Sequence, residues 1–236
     1  SNFSYSAFKT ILFFEIKDYF REFQWNILGP LINTLLFILI MSAIENYYSF
    51  VSKETSYINF LIPGIIIMVI MQSSFNHLSE VIINMKQIGS FNDYLTSPIS
   101  RVEIFFAFLF SSIFVCISIA FINVLTLSFF SNYQKINFFK FFYYLTLTII
   151  IFSSFGAITG FLSFNWDVQS AISNFFIVPI SFMSGTFFSI ESINENWQFI
   201  FYYNPFYYLV SGFRNAFIHS INLTYYNHIY IILITI

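Results

Sequence analysis

The stretch IFFAFLFSSIFVCISIAFINVLTLSFF (Ile104–Phe130) contains no Asp, Glu, Lys or Arg. As an α-helix it rises about 40 Å, against about 30 Å for the hydrocarbon core of a bilayer. Lipid offers no hydrogen bonds to the backbone, so such a segment has to satisfy its own N–H and C=O groups as a helix. Four further uncharged runs flank it: Ile27–Ile44, Ile58–Asn76, Phe141–Phe164 and Ala171–Ile190. The alternating apolar and polar pattern of a β-barrel strand is scarce.

Composition agrees with this reading. Of 236 residues, 58% are apolar and 8% charged, where a soluble domain carries about 25% charged residues. So few charges cannot coat a water-facing surface. The pattern predicts an all-α, multi-pass membrane protein forming a single transmembrane domain. The final run, Ile229–Ile236, rises only about 12 Å, so it reads as the start of a sixth span. A complete span there needs about 15–25 more residues.

The segment 1–24 predicts an amphipathic helix lying in the membrane interface. Phe8, Ile11, Leu12, Ile16, Tyr19, Phe20 and Phe23 recur at helical spacing, with Lys9, Glu15, Lys17, Asp18, Arg21 and Glu22 assigned to the other face. Two connections are long. Residues 78–103 form a polar loop with Glu80, Lys86, Asp93, Arg101 and Glu103. Residues 191–228 are aromatic and contain Asn204-Pro205. Within the latter, Trp197–Ile218 is apolar enough for a span, but Pro205 breaks a helix and Arg214 is costly at depth. The expectation is two short helices that enter one leaflet and return; a full span would reverse the side of everything after it.

Orientation rests on Lys and Arg. With the N-terminus inside, Lys9, Lys17, Arg21, Lys86 and Arg101 are cytoplasmic, and Lys53, Lys135, Lys140 and Arg214 external. Three of the inner five precede the first span, which usually dominates orientation.

Several kinds of chemistry are missing. The five runs hold no ionisable Asp, Glu, Lys or Arg of the sort that ion-coupled pumps use. No Gly-Lys pair exists, hence no phosphate-cradling loop for ATP. No G-x-S-x-G surrounds a serine. His77 and Glu80 share a helical face, and His219 and His228 lie in a loop, but neither pair makes a metal site. The lone Cys116 excludes an internal disulfide. Nine Lys and Arg in all leave no nucleic-acid footprint. Gly156-Ala-Ile-Thr-Gly160 is a small-xxx-small pattern for close helix packing.

Three segments resemble the ABC-2-type permease family, the membrane subunits of a class of ATP-driven exporters. Phe60-Leu-Ile-Pro-Gly-Ile-Ile-Ile-Met68 is similar to the family's entry into the second span. Phe91-Asn-Asp-Tyr-Leu-Thr-Ser-Pro-Ile-Ser-Arg-Val-Glu103 resembles its cytoplasmic acidic–Leu–small–Pro pattern, with one carboxylate where members often have two. Met183-Ser-Gly-Thr-Phe-Phe-Ser189, followed by Tyr203-Asn-Pro-Phe-Tyr-Tyr-Leu-Val-Ser-Gly-Phe-Arg214, resembles the stretch before the last span.

The resemblance implies a dimer of permeases, two copies or a copy and a close paralogue, in a bacterial inner membrane. It implies a separate ATP-binding subunit that carries the ATP and Mg, with no cofactor on this chain. Asn92, Asp93, Tyr94, Leu95, Pro98 and Arg101 would couple to that subunit. Gly185, Phe188, Asn204, Pro205 and Arg214 would form the external re-entrant gate, with Arg214 pairing with Glu191, Glu195 or a lipid phosphate, or snorkelling. The cargo would be hydrophobic or amphipathic: a lipid, a glycan-lipid or a drug. An ion-coupled secondary transporter and a non-transporting membrane scaffold remain the alternatives.

Overall fold

A computed structural model describes residues 4–45, 57–130, 136–190 and 193–218; the side chains of Ile44, Glu45 and Leu95 are not among those described. The expected sixth span lies outside these residues, as do Lys53, Lys135, Glu191, His219 and His228. Every regular element among the described residues is helical.

Helix α1 (Tyr5–Arg21) leads through a π-helical turn at Gln24–Leu28 into α2 (Gly29–Glu45). Next come α3 (Tyr57–Ile88), the short α4 (Phe91–Thr96), α5 (Arg101–Leu127) and α6 (Phe138–Leu162). Then α7 (Trp166–Ile172), a π turn at Ser173–Ile177 and α8 (Val178–Phe182) run on as one rod. The helices α9 (Glu195–Tyr202) and α10 (Pro205–Arg214) close the described chain.

Among the described residues, four helices are long and apolar enough to cross a membrane: Gln24–Ala43, Tyr57–Ile88, Arg101–Phe130 and Phe138–Leu162, with mean hydropathies of 1.8, 1.9, 2.6 and 2.0. The fifth run differs from its expected form. Its helix starts early, at Trp166, where Asn165 caps it by accepting from the Val168 N–H at 3.0 Å. It ends at Phe182, because Gly185 takes a positive φ of 75° and turns the chain. Residues 183–190 therefore pack as an irregular segment rather than extending the rod.

Helix α3 is the centre of the bundle. Its most apolar stretch is 78% buried within the protein, and it packs against α2, α5, α6, α8 and α10. Contact with α6 is closest where Gly156 and Gly160 face α3. A Cβ on Gly156 would run into the Phe75 carbonyl, and one on Gly160 would come within 3.1 Å of Ser79 and Ile82. Removing the side chain lets the two backbones approach, which is how membrane helices gain dispersion contacts without a hydrophobic drive between them.

Polar side chains inside the bundle find one another across helices. Thr34 donates to Asn123 at 2.7 Å, Ser112 and Ser153 lie 2.6 Å apart, and Gln72 donates to Ser181 at 2.9 Å. Unmade hydrogen bonds cost far more in such surroundings than made ones gain.

The polar loop expected over 78–103 is largely helical. Helix α3 continues past the apolar run to Ile88, because Leu78, Ile82 and Met85 carry the buried stripe onward. Lys86 Nζ then donates to the carbonyls of Gly160, Phe161 and Ser163 at 2.8, 2.6 and 3.0 Å. It satisfies the last acceptors of α6 with a cation at the negative end of the helix dipole.

Candidate functional site

The three motif segments map to opposite ends of α3. At its start the first and third meet around Arg214, the last residue of α10. Only 2% of Arg214 is exposed. Its Nε donates to the Phe60 carbonyl at 3.1 Å, and one terminal nitrogen donates to the carbonyls of Gly185 and Thr186, both at 3.0 Å. The guanidinium also lies 3.8 Å over the Phe60 ring, a cation–π contact.

Gly64 makes the junction possible. A Cβ there would sit 2.6 Å from the Thr186 carbonyl and 2.7 Å from Arg214. Gly185 turns under Tyr207, Phe188 packs edge-on against Phe201, and Asn204 donates to the Met183 carbonyl at 3.2 Å. Asn204 also caps α10, accepting from the Phe206 N–H at 3.0 Å, with Pro205 at the first helical position. The chain breaks between α9 and α10 at the expected residues.

Of the expected partners of Arg214, Glu195 stands exposed at the start of α9, and Glu191 is outside the described residues. At 2% exposure Arg214 is neither snorkelling nor open to a lipid phosphate. Among the described residues it serves main-chain carbonyls, which leave no side-chain signature in a sequence. Each bond of a charged donor to a buried carbonyl contributes about 1.5–3 kcal/mol.

The other end carries the second motif. Gly89, with φ of 85°, turns the chain out of α3. Helix α4 sits on the Phe108 and Phe161 rings through Tyr94 and Phe91, at 6.1 Å centroid distance in both cases. Asn92 and Asp93 are exposed on its outer side, as are Pro98 and Arg101 beyond it; Leu95 belongs to the same helix. Ser100 and Glu103 then form a capping box that starts α5. Glu103 is buried and its second oxygen accepts from the Ser4 N–H at 2.9 Å, tying α1 to α5.

Helix α1 lies along α5, with Phe8 against Phe110 and Phe20 against Phe114. Its packed face includes Ile11 and Tyr19, and also Glu15. Glu15 was expected on the charged face. The spacing Ile11, Glu15, Tyr19 is the signal that places it on the packed one. Burial, and then the charge of Asp18, pushes its carboxyl up to about 7. It opens onto a cleft of about 600 Å³ between α1, the end of α3, α4 and Trp166.

The sequence pattern described as ABC-2 type transporter matches residues 6–218. The chain belongs to the ABC-2 type transporter family. Among relatives is the "Inner membrane transport permease YadH" of Escherichia coli K12, 27% identical over 221 residues, covering 90% of this chain and 83% of the relative. The proteins of that name from Escherichia coli O157:H7 and Shigella flexneri match equally. As an ABC-2 family member with four apolar spans, the chain is a multi-pass membrane protein of the transporter permease type.

Proposed function

We propose that this chain is the permease subunit of an ATP-driven exporter of the bacterial inner membrane. Two permease copies, or this chain with a close paralogue, form the path, and a separate ATP-binding subunit supplies the energy. What carries the reading is α4. It is a short helix seated on two aromatic rings, held between the end of a long central helix and a capped helix start, with Asn92 and Asp93 facing outward. A rigidly mounted polar knob of this kind suits a cleft on a partner that closes when ATP binds. Asp93 and Arg101 would make charge-assisted contacts there, with Tyr94, Leu95 and Pro98 setting the shape of the knob.

At the far end, α9 and α10 enter the outer leaflet and return. α1 rests in the inner interface, with Phe13, Phe14 and Phe23 directed outward. The cargo is hydrophobic or amphipathic. The name of the relatives, a transport permease of the inner membrane, supports the location and class.

The test is co-purification from native membranes. A stoichiometric subunit with a Walker A motif and ATP turnover is expected. The double variant Asp93→Ala/Arg101→Ala should lose that subunit by at least about tenfold in affinity, on the order of 1.4 kcal/mol, while inserting normally. A wild-type permease that elutes without an ATPase rules the reading out, and undiminished association of the variant removes these residues from the coupling surface.

A further inference from the structure

We propose that the cleft between α1 and the end of α3 is a binding site for an organic cation with an apolar body, held by the carboxylates of Glu15, Asp18, Glu22 and Glu80. As the port for cargo this assignment rests on the permease reading above; as a binding site it does not.

The argument starts from Glu15. It is only 8% exposed and lines the cleft. Its carboxyl faces the cleft instead of ending as a buried, unpartnered group inside the protein, so the group that satisfies it comes from the cleft. Three more carboxylates share the same walls. The charge of Asp18 adds to the cost that burial places on ionising Glu15. Among the described residues no Lys or Arg lines the cleft. The nearest candidate on α3, Lys86, is committed to the end of α6. Like charges gathered without a counter-charge repel one another, and a bound cation relieves that cost.

Among the described residues no three His, Cys, Asp or Glu groups converge closely enough for a metal ion. The room in the cleft suits a larger body. A cleft of about 600 Å³ falls within the roughly 300–1,000 Å³ of small-molecule sites. Its walls also carry the rings of Tyr19, Tyr94 and Trp166. Aromatic faces beside carboxylates are the surroundings that bind quaternary and bulky organic cations, through cation–π attraction added to charge.

The probe is radiolabelled tetraphenylphosphonium, offered to the full chain in nanodiscs of zwitterionic lipid, with empty nanodiscs as background. Saturable binding near one per chain is expected. Tetraphenylborate has the same shape and the opposite charge; measured separately, it should show no saturable binding. Glu15→Gln/Glu80→Gln should weaken phosphonium binding at least about tenfold, on the order of 1.4 kcal/mol. Asp18→Asn/Glu22→Gln alters two exposed side chains, cannot disturb packing, and should weaken it severalfold. Phosphonium uptake no greater than in empty discs, or equal affinity in both double variants and wild type, overturns the proposal. So does saturable borate binding. No ATPase takes part, so the two proposals fail separately. A chain that binds the cation but recruits no ATPase leaves the cleft standing; one that recruits the ATPase but binds no cation leaves the permease standing.

Discussion

Arg214 and Glu15 are both charged and both buried, at opposite ends of α3, and the protein treats them in opposite ways. Around Arg214 the backbone is shaped to the side chain: two carbonyls of the Gly185 turn and one from α3 receive its N–H groups. Around Glu15 nothing among the described residues donates, and Asp18 and Glu22 beside it and Glu80 across from it line the same cleft. The first arrangement is a finished structural joint. The second is a site whose electrostatics are incomplete until something else arrives. A buried charge by itself therefore says little; the partners supplied to it separate a fastening from a receptor.

The sharpest way to break this comparison is Arg214→Met. It strands three buried carbonyls and removes the cation–π contact. A loss of more than about 3 kcal/mol is expected, read as a collapse of thermal stability in detergent. Arg214→Lys should not restore it, because one ammonium cannot reproduce the planar fork. Near-native melting of Arg214→Met would mean that the joint is dispensable.

Glu15→Gln should act in the other direction. Its carboxyl is held at about 7 in the folded chain, from an ordinary value of 4.5. The folded state thus holds this proton more tightly than the unfolded state. Stability from this group is complete below about pH 4.5 and disappears as pH rises through about 7. Near pH 8 the amide should stabilise by on the order of 2 kcal/mol, the full shift being discounted for water in the cleft. Near pH 4 the two proteins should melt together. Asp18, Glu22, His77, Glu80 and Tyr94 face the same cleft, so the pH profile is to be repeated in the Asp18→Asn/Glu22→Gln background. A gain that is the same at both pH values would place the effect in packing rather than charge.

Glu103→Ala gives the smallest effect and sharpens the contrast within one end. Glu103 is a satisfied carboxylate near the unsatisfied ones, accepting from the Ser4 and Ser100 N–H groups. Its removal should cost about 1 kcal/mol. It should also speed hydrogen exchange at the start of α1, which a purely local cap on α5 would leave unchanged.

Much of this architecture was legible in the residues themselves. Uncharged runs announce spans because lipid excludes charge, and Asn204-Pro205 divides α9 from α10 because Pro cannot continue a helix and Asn caps one. The onward reach of α3 was harder. Beyond Asn76 the residues turn mixed in polarity, and the recurrence of Leu78, Ile82 and Met85 is amphipathic rather than uniformly apolar. Glu15 was placed on the wrong face because a charge counts as polar wherever its helical spacing puts it. The main-chain part of the Arg214 setting could not be read: those acceptors are carbonyls, and any residue has one. The fifth run was too long by the residues after Phe182, where Gly185 ends what hydropathy alone would continue.

The pairing of α3 with α6 has a mechanical consequence. α3 rises about 48 Å over its 32 residues. Lys86 fastens one of its ends to the end of α6, and Gly156 and Gly160 hold the two backbones together at Phe75 and Ser79, while Arg214 ties the other end of α3 to α10 and the Gly185 turn. Two rods joined at several points along their length form a beam. A load placed on α4 would then tilt the pair as a unit instead of bending α3 alone.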